Sequence, residues 1–168
     1  MSAVTRNRLI RPIHLFLPAV SLCISASSLA ATSNSNLSVS STVLSACSVT
    51  GSSLAFGSYT NTQIDNSAAV SITCTNGTAY NVGLDAGGGS GASTAVRKMT
   101  GSISGTLSYS LYKDSGRSTV WGNTVGSDTA IGTGTGSAQS ISVYGRVPGG
   151  QNADVGIYSD TVTVTLTY

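Results

Sequence analysis

Residues 161–168 read Thr-Val-Thr-Val-Thr-Leu-Thr-Tyr, with threonine at the odd positions and Val162, Val164, Leu166 and Tyr168 at the even ones. Side chains on a strand alternate faces with period two, so this stretch predicts a strand with one apolar and one hydroxyl-bearing face. Burying the apolar row would contribute roughly 6–12 kcal/mol before ordering costs, at about 1.5–3 per side chain. No strand follows it in the sequence, so its cover has to come from elsewhere. The same alternation occurs near the other terminus at Leu37, Val39, Ser41 and Val43, with Ser41 as a polar gap in the row.

Between these two stretches the pattern is one of short strands and turns. Cys47-Ser48-Val49 follows a break, and Leu54–Tyr59 gives an irregular extended segment before turn chemistry over 60–67. Val70, Ile72 and Cys74 alternate with polar neighbours. Asn76-Gly77 then either closes a hairpin or carries the chain round a corner to a second sheet. Tyr80, Val82 and Leu84 predict the next strand, and 86–94 a mobile glycine-serine linker. A short strand is expected around Met99 and a firm one over Leu107, Tyr109 and Leu111. Asp114-Ser115-Gly116 is read as a turn with Gly116 at φ > 0, and Val120-Trp121 as the return. Residues 122–138 read as loop or weak edge strand, Ile141–Val147 as a strand, and residues 156–168 as the last. About seven or eight short strands separated by turns predict a two-sheet sandwich, with Tyr80, Tyr109, Trp121 and Tyr158 bulking its core.

Composition changes this picture once the N-terminus is set aside. Arg6, Arg8 and Arg11 precede an apolar run from Leu15 to Ile24 that is too short to span a bilayer, and Ser28-Leu29-Ala30 offers small residues at a cleavage site. Residues 1–30 are therefore expected to be a secretory signal peptide. Leu22 stands where a lipobox before Cys23 needs a small residue, so no lipid or membrane anchor is expected in the mature form. Taking 30 residues off the 168 leaves 138, a single domain's worth. Three of the eight basic residues go with them, leaving five against six aspartates and a net charge of −1. Nothing then supports nucleic-acid binding. Cys47 and Cys74 remain as an even pair, and one disulfide is the natural reading in an exported domain.

The remaining inventory argues against catalysis. The expected mature chain has no glutamate and no histidine, so acid–base work would fall to aspartate, tyrosine and two lysines. A Ser–His–Asp triad cannot be assembled, and no G-x-S-x-G elbow is present. No cofactor motif survives inspection, since neither Gly87–Gly91 nor Gly132–Gly136 has the spacing of a phosphate or dinucleotide loop. Asp154 and Asp160 are read as solvated loop residues rather than calcium ligands. Arg146 is expected in a surface ion pair.

Cys47-Ser48-Val49, Leu54-Ala55-Phe56-Gly57, Val70-Ser71-Ile72-Thr73-Cys74, Leu107–Asp114, Val143–Val147 and Gly156–Val164, in that order, resemble the spore coat protein U domain. This is the family of archaic, Csu-type chaperone–usher pilins, and the resemblance covers nearly all of 37–168. It implies an all-β, incomplete immunoglobulin-like sandwich completed by a donor strand from another subunit, the mode known as β-strand addition. It divides the chain into a signal peptide (1–30), a donor-strand extension (31–46) and a pilin-type sandwich (47–168). Leu37, Val39, Ser41 and Val43 would be the donor side chains, and Val162, Val164, Leu166 and Tyr168 one edge of the acceptor groove. The implied partners are identical or related subunits head to tail, a periplasmic chaperone and an outer-membrane usher. The chain would then be exported through the periplasm to a surface fimbrium. The competing reading is a self-contained secreted β-sandwich acting as an adhesin or coat component, in which Leu37–Val43 pairs within its own domain. A small secreted hydrolase is disfavoured by the missing histidine and glutamate.

Overall fold

The computed structural model describes residues 29–168, so the expected signal peptide lies almost wholly outside the described residues. Residues 41–168 form one compact unit that holds every strand found among the described residues, and residues 29–40 belong to another, without regular structure. The strands in chain order are β1 (Cys47–Thr50), β2 (Ile64–Cys74), β3 (Ala79–Leu84), β4 (Arg97–Gly101), β5 (Thr106–Tyr112), β6 (Ala130–Thr133), β7 (Ala138–Val147), β8 (Tyr158–Ser159) and β9 (Val164–Thr167). They make a six-stranded sheet in the order β1-β2-β7-β5-β4-β8 and a three-stranded sheet in the order β6-β3-β9. Every pairing is antiparallel. This all-β, two-sheet arrangement is consistent with an immunoglobulin-like sandwich. Among the described residues no helix is long and apolar enough to cross a membrane.

The core is the apolar row of each strand turned inward. Val70, Ile72 and Cys74 from β2, Tyr80, Val82 and Leu84 from β3, and Leu107, Tyr109 and Leu111 from β5 are all buried, with Val143 and Val147 from β7. Trp121 is fully buried and donates its indole N–H to the Val82 carbonyl at 2.8 Å, which satisfies its one polar atom and joins the layers. Asn76-Gly77 turns the chain out of the six-stranded sheet into the three-stranded one, so it is a corner and not a hairpin. Gly77 takes φ +83° there, which suits a residue without Cβ.

The longest ladder, β2 against β7, begins earlier than its sequence suggests. Residues 60–67 look like turn chemistry, yet Ile64–Ser67 are the first rungs, paired with Val147–Tyr144. The weak strand formers Asp65 and Asn66 are held by their partners. Asp65 faces Arg146 directly, and the guanidinium donates to both carboxylate oxygens at 2.8 Å, the surface ion pair expected of Arg146. At the 114–117 turn it is Arg117, at φ +57°, that takes the left-handed conformation, and not Gly116. Its guanidinium donates to the Gly145 and Ser115 carbonyls at 3.0 Å, which ties that backbone down. The Asp114 carboxylate accepts from the Ser118 and Thr119 amides, and these hydrogen bonds lower its pKa to about 2.

Candidate functional site: a cleft between two lips

Residues 51–59 belong to neither sheet. Side chains, not a strand ladder, hold this segment in place. The Ser52 hydroxyl donates to the Ala69 carbonyl at 2.6 Å, and the Tyr59 hydroxyl donates to the Pro148 carbonyl at 3.1 Å. The Asn66 amide also reaches the Ala55 carbonyl. Phe56 lies over Gly145 of β7, where an added Cβ would come within 2.7 Å of its ring. A glycine at that point therefore lets the segment sit down on the sheet.

Opposite runs the C-terminal stretch. The sequence predicts one strand there, but β8 and β9 are separated by residues 160–163, which have no strand assignment. The Asp85 amide donates to the Thr163 carbonyl at 3.1 Å, and the Thr163 amide donates to the Asp85 carboxylate at 2.9 Å. Thr163 thus turns its backbone groups toward β3. By the alternation of an antiparallel ladder, Val162, Val164 and Leu166 turn theirs toward the other side, where β9 has no strand partner. The residues whose side chains face the core are those with free backbone groups.

Between these two lips lies an open cleft. Two adjoining cavities of about 460 and 580 Å³ share Leu54, Phe56, Met99 and Tyr158. The first runs along 51–56 on one lip and Tyr158–Val162 and Val164 on the other, over Val70, Leu84 and Leu111. The second continues along 54–59 and 153–158 over Leu107 and Val147. Of the four groove positions expected from sequence, Val162 and Val164 line the cleft. Leu166 is half-buried against the core beyond its end, and Tyr168 is 60% exposed. Near Val164 the cleft narrows, because Gly51 and Val164 approach each other.

The four expected donor residues are displayed, not packed. Leu37 is 87% exposed, Val39 84% and Val43 81%, and Ser41 is exposed as well. Residues 29–46 contain no strand. The expected disulfide is present. Cys47 and Cys74 lie directly opposite each other on β1 and β2 and are bonded, stapling the first strand of the described residues to the second.

A polar clasp behind the C-terminal lip was not legible in the sequence. Arg97, at the start of β4, is fully buried and donates to the carbonyls of Asp85, Thr94, Leu84 and Trp121 at 2.7–2.9 Å. Burial pulls its pKa down, and the nearby Tyr109, Asp85 and Asp160 counter only part of that. Asp160 is not the solvated residue expected of it. Its carboxylate accepts from the Tyr109 hydroxyl at 2.7 Å and from the Gly88 amide at 2.8 Å. Burial, then Asp160, push the Tyr109 phenol well above its ordinary range, so it stays protonated and donates. The 86–94 stretch is therefore pinned and is no free linker. Gly87, at φ +76°, is required there, because a Cβ would overlap the Asp160 carboxylate. Arg97 stands beside Lys98 in a mixed segment, and its partners are backbone carbonyls that leave no sequence trace. Asp154 is also engaged, accepting from Ser104 at 2.7 Å. No group of three or more potential metal ligands occurs among the described residues.

A two-sheet sandwich with an open, apolar-floored cleft beside an unpaired edge is the class of protein this geometry defines. The chain belongs to the Spore Coat Protein U domain family, whose profile matches residues 33–165. The family is one of structural, non-enzymatic proteins. Protein U of Myxococcus xanthus is 35% identical over 156 residues, covering 83% of this chain and 87% of that protein. Among solved structures, the fold is similar to a chain in the CsuC–CsuE chaperone–tip adhesion subunit pre-assembly complex from archaic chaperone-usher Csu pili of Acinetobacter baumannii. The TM-score is 0.58 at 22% identity, over 76% of this chain. This chain spans about two fifths of that neighbour's length, 41%.

Proposed function

We propose that the protein is a structural subunit of a surface pilus, assembled by a chaperone–usher pathway through donor-strand exchange and supporting adhesion or biofilm formation. The observation that carries this reading is the cleft, whose lips have no strand partner across the opening and whose floor is the apolar core. A row of unpaired backbone groups beside apolar surface is a template for an added strand. A periplasmic chaperone would fill the cleft first, after export directed by residues 1–30. At an outer-membrane usher, Leu37, Val39, Ser41 and Val43 of the next copy would replace it. One half-site at each end of the chain gives a head-to-tail contact that does not close, and therefore a fibre. The family membership and the fold shared with a chaperone-bound Csu pilus subunit complex both support this reading.

The test is self-complementation. A copy of residues 37–43 is placed behind a short flexible linker after Tyr168, and the original is deleted. An intramolecular donor has an effective concentration on the order of millimolar. The expected product is a soluble monomer with a raised unfolding temperature, where the unaltered chain self-assembles or aggregates. An unaltered chain that is already monomeric, and gains nothing from the added strand, would sink the proposal.

A further inference from the structure

Among the described residues that line the first cavity Asp160 alone is charged, and it stands on the C-terminal lip, where its carboxylate meets the Tyr109 hydroxyl. The donor segment is apolar in its inward row except at one point, Ser41. Resting on the strand-exchange reading above, we infer that Ser41 of one copy sits opposite Asp160 of the next and sets the register of the inserted strand. Every pairing in both sheets is antiparallel, and antiparallel addition to the free edge is also the stronger ladder. With Ser41 across from Asp160, Leu37 faces Val164, Val39 faces Val162 and Val43 faces Tyr158. The inserted segment then spans the lip from Tyr158 to Val164, the stretch that lines this cavity and includes the strandless residues 160–163.

The chemistry of the pair is balanced. Asp160 uses one oxygen for the Gly88 and Thr161 amides and the other for Tyr109. A carboxylate has about four acceptor positions, so the second oxygen can still take the Ser41 hydroxyl proton, and the Tyr109 oxygen can also accept. Slipping by two residues keeps the apolar row inward but changes what meets the carboxylate. One direction lays Val43 on Asp160 and the other lays Val39 on it. Either slip covers the carboxylate with methyl groups, which shuts out water and adds no hydrogen bond at its remaining acceptor positions, and that is costly. The polar gap in the donor therefore selects one register out of three that the apolar pattern allows.

The test is a cross-linking comparison between full-length copies, one carrying a cysteine in the donor and the other a cysteine in the lip. Ser40→Cys with Thr161→Cys reports the inferred register. Both residues are exposed, and the pair would be opposed across the ladder at roughly 4.5 Å between Cα atoms, within disulfide reach. Ser40→Cys with Thr163→Cys and Ser38→Cys with Thr161→Cys report the two slips, each displaced by about 7 Å along the strand. After mild oxidation, mass spectrometry should find the 40–161 linkage at least about tenfold over either slipped pair, the discrimination of one hydrogen bond to a charged group. Adding Ser41→Val, a change in an exposed segment that leaves the receiving fold intact, should erase that preference and slow assembly. Oligomers that link mainly at a slipped pair or at none, or a preference untouched by Ser41→Val, overturn the register and leave the pilus reading standing. Absence of any oligomer under all three pairings overturns strand exchange itself, and the register with it.

Discussion

Residues 37–43 and 161–168 carry the same period-two alternation, and they meet opposite fates. The second contains β9, because β3 offers it a ladder and Leu84, Val82 and the rest of the core offer its apolar row a floor. The first has no strand partner and displays Leu37, Val39 and Val43 to solvent. Alternation specifies which face of a strand is apolar, but a strand exists only where a neighbour supplies its hydrogen bonds. Even within 161–168 the rule holds. Residues 161–163 keep the pattern yet have no strand assignment, and it is along these that the cleft opens.

The sharpest way to break this comparison is to remove each segment in turn. Truncation after Thr163 takes away β9, bares β3 and should abolish cooperative unfolding altogether. Deletion of 31–44 should leave the sandwich's unfolding midpoint within about 0.5 kcal/mol of the parent while surface fibres vanish in electron micrographs. Equal loss of fold from both deletions would erase the distinction. Next in size is the staple between them. Replacing Cys47 and Cys74 together by serine frees β1 from β2 and should cost about 3.5 kcal/mol in the chain-entropy account, read from denaturant midpoints. A finer comparison uses single leucines. Leu166→Ala should cost about 2 kcal/mol, the lower end for a core leucine because the side chain is only half-buried. Leu37→Ala should be neutral in the isolated chain and show itself only in assembly.

The smallest effect is an acid one. The Arg146 guanidinium holds Asp65 below the usual carboxylate range. Burial pushes Asp85 up, but Thr163 and Gly87 outweigh it with hydrogen bonds and bring it below. The Ser118 and Thr119 amides hold Asp114 at about 2. Groups depressed in the folded state stabilise it above their unfolded value, near 3.9, and that contribution is lost as pH falls through the folded values. Stability should therefore be level above about pH 5 and decline between about pH 4 and 2. Asp85→Asn should flatten part of that decline and loosen the lip at Thr163, measured by denaturant midpoint against pH.

Much of the fold was legible in residue order alone. The inward rows of β2, β3, β5 and β7 are where alternation puts them, and the aromatic core residues Tyr80, Tyr109 and Trp121 are buried as their size demands. The cysteine pair was legible because an expected export signal and an even count leave little choice. What the sequence could not carry are interactions between distant backbone groups. The strand at Ile64–Ser67 exists because Arg146 lies across from Asp65, and the pinned glycine loop because Asp160 reaches Gly88. Arg97 is buried on four carbonyls that any sequence would possess. The cleft is the same kind of fact. Side-chain pattern determines which residues prefer to be inside, since transfer from water acts on each one separately. Which backbone edges are left without a partner depends on where the whole chain has gone, and only the tertiary structure decides that.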